Sequence, residues 1–220
     1  MSLRLRVTVI SATLFALMVY LVAWSSIFSV RSVEVSGQPA SISVPSLVDK
    51  SQIKIGTQLA RIEPRSIEKK LGEISWIDQV NVSRDWISGK VTIEVVPRIA
   101  VGIYGEKALD KTGALFDYPG SMPSGLPRVS SSSPALGLKA IALFTELPSE
   151  IRDQVQSVTA RNISSVSSVQ NLQGRTVTVN WGSVDQISFK VTVFQALIAL
   201  PENKSITRID LSAPHAPIVK

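Results

Sequence analysis

Polar and apolar positions divide this chain unevenly. From Val7 to Val30 no residue is charged (VTVISATLFALMVYLVAWSSIFSV), a run of 24 residues. As one helix it would reach ~36 Å at 1.5 Å per residue, against ~30 Å for a bilayer core. Arg4, Arg6 and the terminal amine precede it. The positive-inside rule then predicts a cytoplasmic tail over 1–6, a transmembrane helix over 7–30 and everything after Arg31 outside the cytoplasm. Tyr20 and Trp24 fall toward the outer half, where amphipathic rings favour the interface. A cleaved signal peptide is the rival reading, and Ala23-Trp24-Ser25 weakly fits a small-x-small cleavage site. Its apolar region is ordinarily ~7–15 residues, shorter than this run, so an uncleaved anchor is the expectation.

Beyond Val30 the periodicity shortens. Val33 and Val35 alternate with Glu34 and Ser36 and stop at Gly37, a strand signal. Ser43 to Lys50 carries a Ser cap and Pro45 in the first turn, which predicts a short helix. After Gly56, Pro64 opens a second helix with Ile67, Leu71 and Ile74 on one face. Strands follow at Ile77–Arg84 and Lys90–Val96, joined through Ser88-Gly89 as a tight hairpin turn. The order strand, helix, helix, strand, strand predicts one compact unit over 31–97.

A second unit is predicted over 98–220. Ala100–Tyr104 reads as a strand, and Leu109–Leu115 as a hairpin turning at Thr112-Gly113. Tyr118–Pro134 is rich in proline, glycine and serine and reads as a loop. Helices are predicted over Ala135–Leu147 and Phe189–Leu200, and strands at Val155–Arg161 and Arg175–Trp181. Ile206–Ser212 is the last predicted strand, with Ile209 and Leu211 facing in and Arg208 and Asp210 facing out. Strands and helices occur without βαβ regularity, so the class is α+β.

Composition narrows the chemistry. Apolar residues make up 45% of the chain and aromatic residues 6%, so Val, Ile and Leu carry the core. The net charge is +6, half of it from Arg4, Arg6 and Arg31 at the ends of the first run. The other basic residues are scattered among acidic ones, which argues against nucleic acid. There is no cysteine, which excludes disulfides, thiol catalysis and thiolate metal sites. The lone histidine, His215, lies between Pro214 and Ala216. A catalytic triad would need a positioned serine and an orienting carboxylate, and no nucleophile-elbow motif is present. His215 therefore reads as a solvated tail residue. Trp76 and Trp86 flank a strand and read as core or rim packing. No metal, cofactor or small-molecule substrate is expected.

Several stretches together resemble the FtsQ/DivIB family of bacterial cell-division proteins. They are Phe28-x-Val30-x-x-Val33-x-Val35-x-Gly37, then Gly56-Thr57-Gln58-Leu59 with Ile62-Glu63. Trp76-Ile77-x-x-Val80-x-Val82-x-Arg84-x-Trp86 follows, and Val91-x-Ile93-x-Val95 leads into Pro97-Arg98-x-Ala100-Val101. Leu109-Asp110-x-x-Gly113-x-Leu115-Phe116 and the ending Ile209-Asp210-Leu211-Ser212-x-Pro214-x-x-Pro217 complete the set, the ending in the manner of actinobacterial members. Ile87 stands where the family often has proline, and Pro97 where an acidic residue is usual.

The resemblance implies a POTRA domain (β-α-α-β-β) followed by a mixed or antiparallel β-domain with helices. It implies a non-enzymatic divisome scaffold, single-pass in the plasma membrane at the division septum, that binds bitopic partners of the FtsB and FtsL kind and helps couple septum assembly to peptidoglycan synthesis. Septal synthase components are further possible partners. The candidate contact is the last strand, Ile206, Thr207, Arg208, Ile209, Asp210, Leu211 and Ser212, read as an open edge to which a partner strand can add. A POTRA-bearing secretion or membrane-assembly factor and a membrane-anchored cell-wall enzyme are the alternatives.

Overall fold

A computed structural model describes residues 3–24, 26–172 and 174–220, so part of the predicted tail and Ser25 of the candidate cleavage triplet lie outside the described residues. The chain divides into two compact units, Met1–Arg98 and Ile99–Lys220.

The first unit opens with helix α1, Leu3–Trp24, followed by a 3-10 turn at Ser26–Phe28. This corrects the expected helix over 7–30: it starts earlier and ends at Trp24. Apolar side chains from Val7 to Tyr20, on all faces of α1, are exposed. Among the described residues no helix is long and apolar enough to cross a membrane.

Strand β1 (Ser32–Ser36), helices α2 (Val44–Ser51) and α3 (Pro64–Gly72), and strands β2 (Ile77–Asp85) and β3 (Lys90–Pro97) then build a three-stranded sheet in the order β1-β3-β2. β1 runs parallel to β3, and β2 antiparallel. Pro64 fits the first turn of α3, where no intrahelical N–H is needed. Ile67 and Leu71, one turn apart, bury its inner face. The inward positions of β3 are Val91, Ile93 and Val95, all nearly sealed from solvent. Gly37 ends β1 with a φ of +83°, and a Cβ there would collide with the carbonyl oxygen of Val95, so only glycine lets the chain leave the sheet at that point.

The β2–β3 connection is Trp86 to Gly89, a longer turn than the tight hairpin expected. The Asp85 carboxylate organises it by accepting from Ile87 N (2.9 Å), Ser88 N (3.3 Å) and Ser88 Oγ (2.6 Å). Those hydrogen bonds, that from the Ser88 hydroxyl foremost, hold the Asp85 carboxyl below its usual range. Trp76 is buried, whereas Trp86 is half-exposed, edge-on to Phe28 and beneath Arg84.

The second unit is a nine-stranded sheet in the order β12-β11-β10-β9-β8-β7-β4-β5-β6. Its strands are β4 (Ala100–Tyr104), β5 (Lys107–Asp110), β6 (Leu115–Phe116), β7 (Arg128–Ser131), β8 (Val155–Asn162), β9 (Ser165–Leu172), β10 (Arg175–Gly182), β11 (Arg208–Asp210) and β12 (Ile218–Val219). Helices α4 (Pro134–Glu146), α5 (Ser149–Arg152) and α6 (Ile187–Ala199) supply the rest. The β5–β6 turn forms as expected, with Asp110 Oδ1 accepting from Thr112 N (2.8 Å) and Ala114 N (2.9 Å). Within the expected loop 118–134, however, Arg128–Ser131 is β7, a strand flanked on both sides by parallel partners.

One core fills the space between the sheet and its helices. Ala140, Ile141 and Leu143 of α4 and Ile187, Val191 and Phe194 of α6 meet Val158, Val166, Val177, Val179, Trp181 and Ile209. Trp181 lies 5.6 Å from Phe194, centroid to centroid, and its Nε1 donates to Ser168 Oγ (2.8 Å). Lys190 is buried with them, its ammonium donating to the carbonyls of Trp181 and Ser183 (both 2.7 Å). Burial pushes that amine below its usual range, with Asp185 opposing. Because both long helices join one core, the opposite face of the sheet carries Thr159, Ser165, Ser167, Val169, Thr178 and Asn180.

Candidate interaction edge

Within the segment 206–212, Ile209 and Leu211 turn inward as the pattern requires, and Ile206 is buried out of that alternation. Ile206, Ile209 and Leu211 are buried, Thr207, Arg208 and Ser212 are exposed, and Asp210 lies between these extremes. The extended part is shorter than expected, Arg208–Asp210. It is also not the edge. β11 pairs parallel with β10 on one side and antiparallel with β12 on the other. The open edge lies one strand further on, at Ile218–Val219, which the sequence reading did not assign. Two β-branched residues directly after Pro217 were the available signal.

Backbone bonds fix the β11–β12 register. Arg208 N donates to Lys220 O (3.0 Å) and Lys220 N to Arg208 O (2.9 Å). That reciprocal pair makes Ile209 and Val219, the next pair along, a non-hydrogen-bonded one. The N–H and C=O of Val219 therefore point away from β11, toward the open side, where no strand lies among the described residues. Ile218 is 57% exposed, and Val219 packs partly onto the core.

Charged and polar groups surround this edge. A cleft of 170 Å³ is lined by Arg208, Asp210, Ile218 and Lys220. A neighbouring one of 120 Å³ on the helix-free face is lined by Arg161, Ser165, Ser167, Thr178, Asn180 and Arg208. Register explains the convergence: Thr178 stands beside Arg208, and Asn180 beside both Ser167 and Asp210. Asp210 accepts from Ser212 Oγ (2.6 Å), Ser212 N (2.9 Å) and Asn180 Nδ2 (3.0 Å). Burial opposes its ionisation, but those hydrogen bonds, with Arg208 nearby, outweigh it and hold the carboxyl below its usual range. Arg161, Arg208 and Lys220 bring three cationic side chains to these clefts, beside the single ionised carboxylate of Asp210. His215 is exposed, yet its ring lies tilted against Phe189 (4.9 Å), so it pins the 212–217 segment to α6 instead of trailing in solvent.

Comparison with known proteins places both units. Residues 28–98 match the POTRA domain, FtsQ-type, and residues 98–212 match the cell division protein FtsQ/DivIB C-terminal domain. The fold is thus that of a POTRA-bearing division protein, with β12 lying just beyond the second match. The cell division protein FtsQ of Streptomyces bingchenggensis (strain BCW-1) is 31% identical over 238 aligned positions, covering 98% of this chain and 86% of the relative. The chain belongs to the FtsQ/DivIB family of cell-division proteins.

Proposed function

We propose that this division protein is a non-enzymatic scaffold. It docks bitopic partners of the FtsB and FtsL kind outside the cytoplasmic membrane at the septum and helps couple septum assembly to peptidoglycan synthesis. The observation that carries the reading is the open edge at β12, with the outward backbone groups of Val219. An extended partner segment adding there gains main-chain hydrogen bonds, while alternate side chains set its register. Arg161, Arg208 and Lys220 favour acidic side chains on that segment. The uncharged sequence from Val7 to Val30 behind Arg4 and Arg6 supports an N-terminal anchor with both units outside the cytoplasm. Confinement to one membrane raises the partners' effective concentration, so each contact needs only modest strength.

The test is co-purification of the full chain from membranes with an FtsB-like partner. Val219→Pro removes the outward donor and leaves the Arg208–Lys220 pair in place. Proline at Arg208 would break that internal pair and is the poorer probe. Loss of one or two edge hydrogen bonds weakens binding about tenfold. Unchanged recovery of the partner with a folded Val219→Pro chain rules out strand addition at this edge.

A further inference from the structure

A third cleft lies on the helix side of the same unit, built by different residues. Its volume is 340 Å³, and its lining includes Leu172 and Arg175 from the β9–β10 hairpin, Ile198 and Leu200 from the end of α6, and Lys204 and Ile206 from the segment leading to β11. That size is at the low end of the ~300–1,000 Å³ typical of ligand clefts, room for one or two side chains.

Three features point to what it takes. Ile198 and Leu200 are 38% and 40% exposed, apolar surface left open beside a concavity. Arg175 and Lys204 bring two positive charges to the lining, and none of the described lining residues is acidic. Glu202 and Asp153, close in sequence, do not line it. Finally, Arg175 Nη1 is sealed from solvent and meets no hydrogen-bond acceptor among the described residues. Arg175 sits on an inward position of β10, two residues before Val177, so its guanidinium lies on the helix side of the sheet. A buried guanidinium nitrogen without an acceptor is a standing penalty. A carboxylate seated in the adjoining cleft would remove it after a turn of the side chain, and two parallel N–H···O bonds are the geometry guanidinium and carboxylate favour.

From these observations we infer that this cleft is a second protein-docking site, which takes an acidic, aliphatic segment of a partner. One apolar side chain packs on Ile198, Leu200 and Ile206, and a neighbouring Glu or Asp carboxylate binds Arg175 and Lys204. The inference does not depend on strand addition at β12, because the cleft shares no lining residue with that edge.

The experiment measures fluorescence anisotropy of a short, amidated, fluorescein-labelled peptide of alternating glutamate and leucine against the full chain in detergent micelles. The expected result is saturable binding, weakened about tenfold or more when glutamine replaces glutamate in the peptide, or by Lys204→Glu in the protein. Lys204 is exposed, and Lys204→Met repeats the test without introducing an opposite charge. Leu200→Ser weakens binding as well, and Val219→Pro leaves the Lys204-dependent part of the binding unchanged, which separates this site from the edge. Equal affinity for the glutamate and glutamine peptides, indifference to both Lys204 variants, or no binding at all would overturn the assignment.

Discussion

The two sheets end differently. In the first unit the outer side of β2 is closed by a side chain: Glu68 of α3 reaches across to accept from Val82 N (3.0 Å). Arg84 on the same strand donates to the carbonyls of Leu59 (2.9 Å) and Ile62 (2.7 Å), tying it to the preceding turn. At the opposite edge β1 carries Glu34, paired with Lys90 of the neighbouring strand at 2.8 Å. These are devices that discourage further strand pairing. In the second unit β12 has only two residues, an exposed isoleucine and a valine whose N–H and C=O face outward. Both units bury an apolar core, and in the second the outward main-chain groups of Val219 lie beside cationic side chains. The contrast is between β2, whose outer amide at Val82 is capped by a side chain, and β12, whose outward groups meet no strand among the described residues.

That contrast can be broken by deliberate changes, the largest first. Trp181→Ala empties the centre of the second core, removes the Ser168 hydrogen bond and destabilises that unit by ~3–5 kcal/mol. Thermal unfolding followed by hydrogen exchange should show amides of β8–β10 losing protection while those of β2 and β3 keep theirs. Gly37→Ala acts only on the first unit. The left-handed backbone alone disfavours a side chain by ~1–2 kcal/mol, and the clash with Val95 O adds to that. Protection should then fall in β1 and β3 first.

Glu68→Ala strips the cap from the Val82 amide and opens the blocked edge. Leaving a part-buried donor unpaired destabilises the first unit by ~1–3 kcal/mol. Glu68→Gln keeps an acceptor oxygen and should recover most of the loss in a melting experiment. If alanine is harmless, the closed edge is not what distinguishes the two sheets.

The smallest effect concerns pH. Since the Asp210 carboxyl is held below its usual range, its folded-state bonds stabilise the β10–β11–β12 region above the unfolded value of ~3.9. That contribution is lost as pH falls through the lower folded value. The group is partly solvated, so it amounts to less than about 1 kcal/mol. Asp210→Asn should flatten the acid limb of the second unit's stability profile and leave the first unit's unchanged.

Local pattern announced the first unit better than the second. Ile67 and Leu71 on α3, Val91, Ile93 and Val95 on β3, and the stop at Gly37 each state their role within a few residues. The second unit hides strands behind polar residues that face inward. On β9 the buried positions are Val166, Ser168, Gln170 and Leu172, so alternation of apolar and polar is lost. On β7 Val129 alone carries the core, among serines and next to prolines. Parallel pairs such as β4 with β7 and β10 with β11 join distant segments that no local period announces. The inward and outward faces of 206–212 were legible. The covering of that segment by 218–219 was not, because it depends on a chain reversal through Pro214 and Pro217 that residue spacing does not encode.

Hydrogen exchange at the single amide of Val219, with and without an FtsB-like partner segment bound to the full chain, tests the edge most directly. The account predicts fast exchange in the free protein and at least about tenfold slower exchange in the complex, while the Arg208 amide, already bonded to Lys220, changes little. Exchange at Val219 that stays fast while the partner is demonstrably bound would contradict docking by strand addition at β12.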